Sequence, residues 1–274
     1  MSLTAILFPG QGSQSADMRD TVQRVRPDLL ERATASMGLD PFGRVQESTE
    51  FAQPAIFCAS LAGWTELGKP LGDVMAGHSL GELTALAAAE ALSEGDALEL
   101  VVLRGRLMGR AGAGGMVALL GPAAAERAPE LAAEHGLVVA NDNCPTQVVL
   151  SGPTEALPAA VAAAQDIGLR TMDLPVSGAF HSPMMAPAVP EFAAALDRVE
   201  VRNARVPVLS AVTARPFDDV RRRLAEAITS PVRWRETVLE AHRMGAERFL
   251  EVGPGRVLAG LVKRTLSGVE LVHG

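Results

Sequence analysis

The chain contains no tyrosine, and aromatic residues make up only 4% of its 274 residues. Its hydrophobic content, 48%, therefore lies mainly in aliphatic residues and alanine. That is enough for one large domain, or for one domain carrying a smaller one. Cysteine is scarce too. Cys58 and Cys144 stand far apart in sequence. They form neither a metal-ligand pattern nor a disulfide framework, which fits a reducing cytoplasm. Positive charge is in deficit: 25 Lys and Arg against 32 Asp and Glu leave a formal net charge of −7. Such a chain has no broad basic surface, so nucleic acid is not an expected partner. No run of about 18 uninterrupted apolar residues occurs, which argues against a transmembrane helix. The N-terminus, MSLTAILFPGQ, lacks a basic leader and reaches a Pro-Gly turn after a short apolar run, unlike a signal peptide. The expectation is a cytoplasmic protein that meets neither membrane nor nucleic acid.

What is present is an alternation of short apolar runs and helical patterns. TAILFPG (4–10) reads as a strand entering a glycine turn. QPAIFCASLAGWTEL (53–67) reads as a helix with Pro54 in its first turn. GDVMAGHS (72–79) is a strand, LGELTALAAAEAL (80–92) a helix that starts at once, and Ser93 an N-cap with Asp96 three residues on. This order predicts a parallel sheet wrapped by helices, an α/β fold. Near Gly112 the texture changes. Four short strands are expected over 114–121, 136–143, 146–152 and 168–177, with helices over about 122–135 and 153–167 between them. The order β-α-β-β-α-β is that of a ferredoxin-like unit. Residues 117–186 are accordingly expected to form a small inserted domain, and 1–116 with 187–274 the large one. Strands at 206–212, 248–255 and 269–273 would complete the large sheet.

Gly77-His78-Ser79-Leu80-Gly81 lies where the predicted strand becomes a helix. A nucleophile elbow requires this context: a serine on a tight turn, glycines at its flanks, and a following helix whose free N–H groups and dipole favour developing negative charge. The N–H of Leu80 is then a candidate oxyanion donor. The plainer reading makes Gly77 and Gly81 turn glycines and no more. A nucleophilic serine needs a base. Of five histidines, His78 adjoins the serine but reads as pointing elsewhere along the backbone. His135 and His242 lie in charged helical text, and His273 is next to the C-terminus. His181 sits at the join between the small domain and the next helix, where clefts form, though position alone does not select it.

Seven segments taken in order resemble the malonyl-CoA:acyl-carrier-protein transacylases and the acyltransferase domains of polyketide synthases. They are FPGQGSQ (8–14), TEFAQPAIF (49–57), GHSLGE (77–82), VLRGRLM (102–108), GAFHSPMM (178–185), PVRW (231–234) and EVGPGRVLAGL (251–261). The resemblance implies an α/β-hydrolase-like domain with a ferredoxin-like insertion. It implies a two-step transfer of malonyl from malonyl-CoA, through a serine ester, to the phosphopantetheine thiol of an acyl carrier protein. Ser79 would be the nucleophile, His181 the base, and the N–H groups of Gln11 and Leu80 the oxyanion hole. Arg104 would pair with the malonyl carboxylate through a planar guanidinium fork. Without the resemblance, Arg104 reads as a solvated helix arginine, like Arg106 and Arg110. Phe180 matches a position where malonyl-type enzymes tend to carry phenylalanine, so malonyl is expected over methylmalonyl. Gln53, His78 and Met108 match positions near the site. Asn143 would border the cleft or serve a turn. Where the family usually has glutamine, four residues before Pro231, stands Ala227, whose backbone carbonyl would orient the histidine. No cofactor or metal is implied, and a monomer is expected.

Weaker signals remain. GPGRVLAG (253–260) resembles a dinucleotide fingerprint, but Leu258 stands where the last glycine is needed. It reads better as a helix start against the cleft. VRRRL (220–224) is either a docking strip for an acidic carrier or a solvated helix face. Met184 and Met185 are candidates for an acyl channel or for the core. The rival functions are a serine thioester hydrolase with the same elbow, a freestanding polyketide acyltransferase with another extender unit, and a non-catalytic carrier-binding module.

Overall fold

A computed structural model describes residues 2–111, 113–176 and 178–273. Gly112, where the sequence texture changes, and Ser177, the end of one expected strand, lie outside them. In chain order, β1 (Leu3–Phe8) is followed by α1 (Met18–Val25), α2 (Pro27–Met37), α3 (Thr49–Glu66), β2 (Val74–Gly77), α4 (Gly81–Ala88) and α5 (Glu94–Arg110). Then come β3 (Gly115–Leu120), α6 (Ala124–Glu134), β4 (Val138–Cys144), β5 (Gln147–Gly152), α7 (Leu157–Asp166) and β6 (Arg170–Asp173). The chain closes with α8 (Val189–Leu196), β7 (Val208–Ser210), β8 (Arg215–Pro216), α9 (Val220–Glu226), α10 (Trp234–Arg243), β9 (Ala246–Glu251), α11 (Val257–Thr265) and β10 (Glu270–His273).

Two sheets result. The larger runs β10-β9-β1-β2-β7-β8. Its pairs are parallel except that of β7 with β8. All four residues of β2 are buried, as are the last four of β1, which is why both read as short continuous apolar runs rather than alternating ones. The smaller sheet is antiparallel, in the order β4-β5-β3-β6, with α6 and α7 between its strands in sequence. That is the ferredoxin-like connectivity. Its core of Val117, Leu119, Leu131, Val148, Leu150 and Leu169 is separate from the two clusters that flank the large sheet. No helix among the described residues is long and apolar enough to cross a membrane.

Several boundaries differ from expectation, each for a local reason. The helix expected at 53–67 starts earlier, at Thr49, because Ser48 caps it by accepting from Glu50 N–H. Pro54 thus lies inside α3, not in its first turn. Gly105 of α5 gives that stretch room: an added Cβ would lie 3.1 Å from the carbonyls of Thr49 and Glu50. The helix expected over 80–92 ends at Ala88. There Glu90 takes a left-handed conformation (φ 62°) and Ala91 N–H bonds back to Leu86 O, a Schellman closure usually reserved for glycine. Ser93 does cap α5, accepting from Asp96 N–H at 3.0 Å. Helices α1 and α2 fall in a stretch where no element was expected.

Candidate active site

β2 delivers the elbow. Ser79 sits between β2 and α4 with φ 54°, the left-handed region that an L-residue adopts only under constraint. The flanking glycines are required by close approach. A Cβ at Gly77 would lie 1.9 Å from the carbonyl of Gly81, and one at Gly81 would lie 2.2 Å from Phe8 O. The turn therefore folds hard against β1, and the first N–H groups of α4, at Gly81 and Glu82, close it by donating to His78 O and Ser79 O.

His181 reaches the serine from the segment after the small sheet. Its Nε2 lies 2.8 Å from Ser79 Oγ. Its Nδ1–H donates to the carbonyls of Ala227, at 2.9 Å, and Ser230, at 3.1 Å. Two carbonyls at Nδ1 fix the tautomer, so Nε2 presents its lone pair to the hydroxyl. Ala227 suffices at the usual glutamine position because only its backbone is used. Ser230 as a second acceptor had no sequence signal. His181 too has a positive φ, 57°. Burial, then the charge of Arg104, then His78, push its pKa down to about 3.

That shift fixes a pH dependence. An imidazole near pH 6.5 would lose about 30-fold of its neutral base between pH 8 and pH 5. With the pKa depressed, the neutral form is fully present down to pH 5. Acyl loading measured by stopped flow at limiting malonyl-CoA, which reports the free enzyme, is therefore expected to show no acid limb near pH 6.5.

Arg104 is 3% exposed, not solvated as its sequence neighbourhood suggests. Its Nη2 donates to Ser79 Oγ at 3.0 Å and its Nη1 to Gln53 Oε1 at 2.7 Å. Burial lowers its pKa to about 10, against the opposing pull of Glu82, so it stays charged at neutral pH. Gln53 Nε2 donates to Thr49 Oγ1 at 2.9 Å and contacts Met108 Sδ at 3.6 Å. Among the described residues, neither Leu80 N–H nor Gln11 N–H has a hydrogen-bond partner. Both residues line the cleft, as do Met108 and Phe180. A donor left open at the start of a helix beside a serine is what an oxyanion needs.

His78 turns into the cleft rather than away along the backbone. Its Nε2 lies 2.8 Å from Asn143 Oδ1, and its ring packs edge-on to Trp234 at 5.4 Å. Asn143 belongs to β4, so this bond joins the two sheets. The PVRW segment makes a second join: Val232 N–H donates to Ala140 O, and Asp142 N–H to Val232 O. The cleft between the sheets encloses about 320 Å³, with Ser79, His181 and Arg104 in its lining.

Sequence reasoning gave no role to Glu82. It is 1% exposed, accepts from Ala211 N–H at 2.8 Å, and has its pKa pushed up to about 7 by burial. An acid among the apolar residues of LGELTALAAA was the available signal. Glu251, likewise unassigned, accepts from the N–H groups of Leu258 and Ala259 and so caps α11. That is what GPGRVLAG builds. The VRRRL run is occupied internally. Arg221 holds the carbonyls of Leu196 and Val199, while Arg222 and Arg223 pair with Asp218 and Glu226. Met185 is fully buried in the core, and neither it nor Met184 lines the cleft. Among the described residues no cluster of His, Cys, Asp or Glu could hold a metal ion.

Comparison with known proteins finds relatives over nearly the whole chain. A family described as acyl transferase domain matches residues 28–273. The polyketide biosynthesis protein ThaF of Burkholderia thailandensis is 40% identical over 97% of the chain, although the chain spans only 24% of that protein. The malonyl CoA-acyl carrier protein transacylase of Bacillus subtilis is 38% identical over 96% of the chain and 90% of its own length. The crystal structure of an acyl-carrier-protein S-malonyltransferase from Burkholderia pseudomallei superposes with a TM-score of 0.91 at 33% identity, covering 99% of this chain and 95% of that one.

Proposed function

The chain belongs to the acyl transferase domain family, and on that premise we propose that it carries malonyl from malonyl-CoA to the pantetheine thiol of an acyl carrier protein through an ester on Ser79. The observation that carries this reading is Arg104, a buried cation 3.0 Å from the Ser79 hydroxyl. A site for plain fatty acyl groups would be apolar there. A buried guanidinium in the lining of a cleft calls for an acyl group with a free carboxylate.

The chemistry follows from the positions. Ser79 Oγ attacks the thioester carbonyl as His181 Nε2 takes its proton. The oxyanion forms against the N–H groups of Leu80 and Gln11. The carbon–sulfur bond then breaks, and the imidazolium returns the proton to the departing thiolate. In the second half the carrier's thiol gives its proton to His181 and attacks the ester carbonyl. Collapse breaks the bond to Ser79 Oγ, which is reprotonated by His181. Beside the cleft mouth, Arg170 and Arg264 line a hollow of about 500 Å³ that shares Gln147 and Met172 with the cleft. Two cations there suit the phosphates that coenzyme A and the pantetheine arm carry.

The test is the fate of the acyl group. Malonyl-CoA is supplied with holo carrier protein, and malonyl-carrier and free malonate are counted. Malonyl-carrier should dominate. Malonate as the main product, with or without carrier, would make the protein a thioester hydrolase. Relatives occur in both fatty-acid and polyketide settings, and a panel of carrier proteins separates these for this chain.

Phe180 is 8% exposed and lines the cleft, and a ring there would compete with an α-methyl group for space. Methylmalonyl-CoA is expected to load about 10–200-fold more slowly than malonyl-CoA, the range one methyl group commands in such a pocket. Phe180→Ser should narrow that gap. Equal wild-type loading of the two thioesters would show that Phe180 does not select.

A further inference from the structure

Thr49 opens α3 next to the cap Ser48, and nothing in the serine–histidine chemistry requires it. It is 5% exposed. Its Oγ1 donates to Gln11 Oε1 at 2.8 Å and accepts from Gln53 Nε2 at 2.9 Å. Gln53 Oε1 accepts from Arg104 Nη1 at 2.7 Å, and Arg104 Nη2 donates to Ser79 Oγ at 3.0 Å. A continuous chain thus runs from the oxyanion loop to the nucleophile.

Its polarity is forced from one end. A guanidinium only donates, so Gln53 must turn its carbonyl to Arg104 and its amide NH2 to Thr49. The Thr49 hydroxyl, having accepted that bond, spends its single proton on Gln11 Oε1. Gln53 cannot flip without setting its NH2 against the Arg104 guanidinium. The Thr49 methyl faces Gly109 of α5, where an added Cβ would lie 3.6 Å from it.

We propose that Thr49 is a positioning residue that couples the carboxylate-binding arginine to the oxyanion loop. When an acyl carboxylate engages Arg104, the guanidinium leaves Ser79 Oγ and re-aims. The chain carries that re-aiming through Gln53 and Thr49 to Gln11, whose backbone N–H faces the reacting carbonyl. Recognition of the carboxylate then improves the oxyanion hole, and not only the hold on substrate. The inference rests on the acyl-transfer reading above.

The test is a double-mutant cycle on malonyl loading, read as single-turnover rate and as apparent KM. Thr49→Val keeps the shape and removes the hydroxyl. It is expected to lower the loading rate by about 10–100-fold with little change in KM, as for a displaced oxyanion donor. Thr49→Ser, which restores the hydroxyl, should recover most of that loss. Gln11→Met cuts the same joint from the other side and keeps the backbone N–H. It should match Thr49→Val, and the two together should be no worse than either. In an Arg104→Ala background the Thr49→Val factor should fall to under about twofold. An equal factor with and without Arg104 would overturn the coupling, as would a Thr49→Ser variant as slow as Thr49→Val. A wild-type protein that forms no malonyl ester would instead overturn the acyl-transfer reading itself.

Discussion

Ser79→Ala is expected to form no acyl ester and to transfer malonyl about ten-thousand-fold to a million-fold more slowly than the wild type. The ester has one place to form. The Ser79 hydroxyl donates to His181 Nε2 and accepts from Arg104 Nη2. His181→Ala should lose nearly as much, because without Nε2 the serine keeps its proton at neutral pH. The two groups act as one unit, so the double variant should be no slower than the worse single one. Losses that multiplied would mean that the two residues serve separate steps. Both variants are expected to remain folded, since the turn is set by Gly77 and Gly81 and by the left-handed backbone at Ser79.

Arg104→Ala is expected to divide the substrates. Breaking a buried, hydrogen-bonded charge pair costs about 3–5 kcal/mol, so malonyl loading should fall by roughly a hundred- to a few-thousand-fold. Acetyl loading should hold or rise. An acetyl group has no carboxylate to lose, and the Arg104 charge is the second-largest cause of the lowered His181 pKa. Removing that charge returns basicity to the histidine. The same logic explains how a base depressed to about 3 can work in the wild type. Burial is the larger cause of that depression, and a malonyl carboxylate bound to Arg104 would offset the smaller one, the Arg104 charge, so the intended substrate raises the base in part. Arg104→Lys keeps the charge without the fork and should fall between. If malonyl and acetyl loading fell together by the same factor in Arg104→Ala, Arg104 would be structural and not a clamp.

Much of this arrangement was legible in the residues. The elbow is legible because close approach leaves only glycine possible at Gly77 and Gly81, and a strand before and a helix after show as a change of period. The small sheet was legible from turn residues between short apolar runs. Arg104 was not. Its neighbours one turn away, Leu100, Val101, Leu107 and Met108, are apolar and buried, but the arginines beside it at 106 and 110 disguise that face, and its role came only from the resemblance. The start of α3 was obscured because Pro54 marks a first turn in most helices and here lies inside one. The end of α4 was obscured because a glutamate, not a glycine, takes the left-handed closing position. Of the two carbonyls that hold His181, that of Ala227 followed from the resemblance, whereas that of Ser230 had no side-chain pattern to announce it. The Thr49 link likewise needs three elements in contact before it exists.

The most direct measurement follows the acyl group in time. The wild-type protein is mixed with malonyl-CoA, quenched, weighed intact and digested, and then chased with holo carrier protein. The account predicts a single malonyl adduct on the peptide that holds Ser79, absent from Ser79→Ala. It predicts that this adduct disappears at the rate at which the carrier gains malonyl. An adduct elsewhere, or transfer to the carrier with no adduct at any time, would contradict a malonyl-serine intermediate.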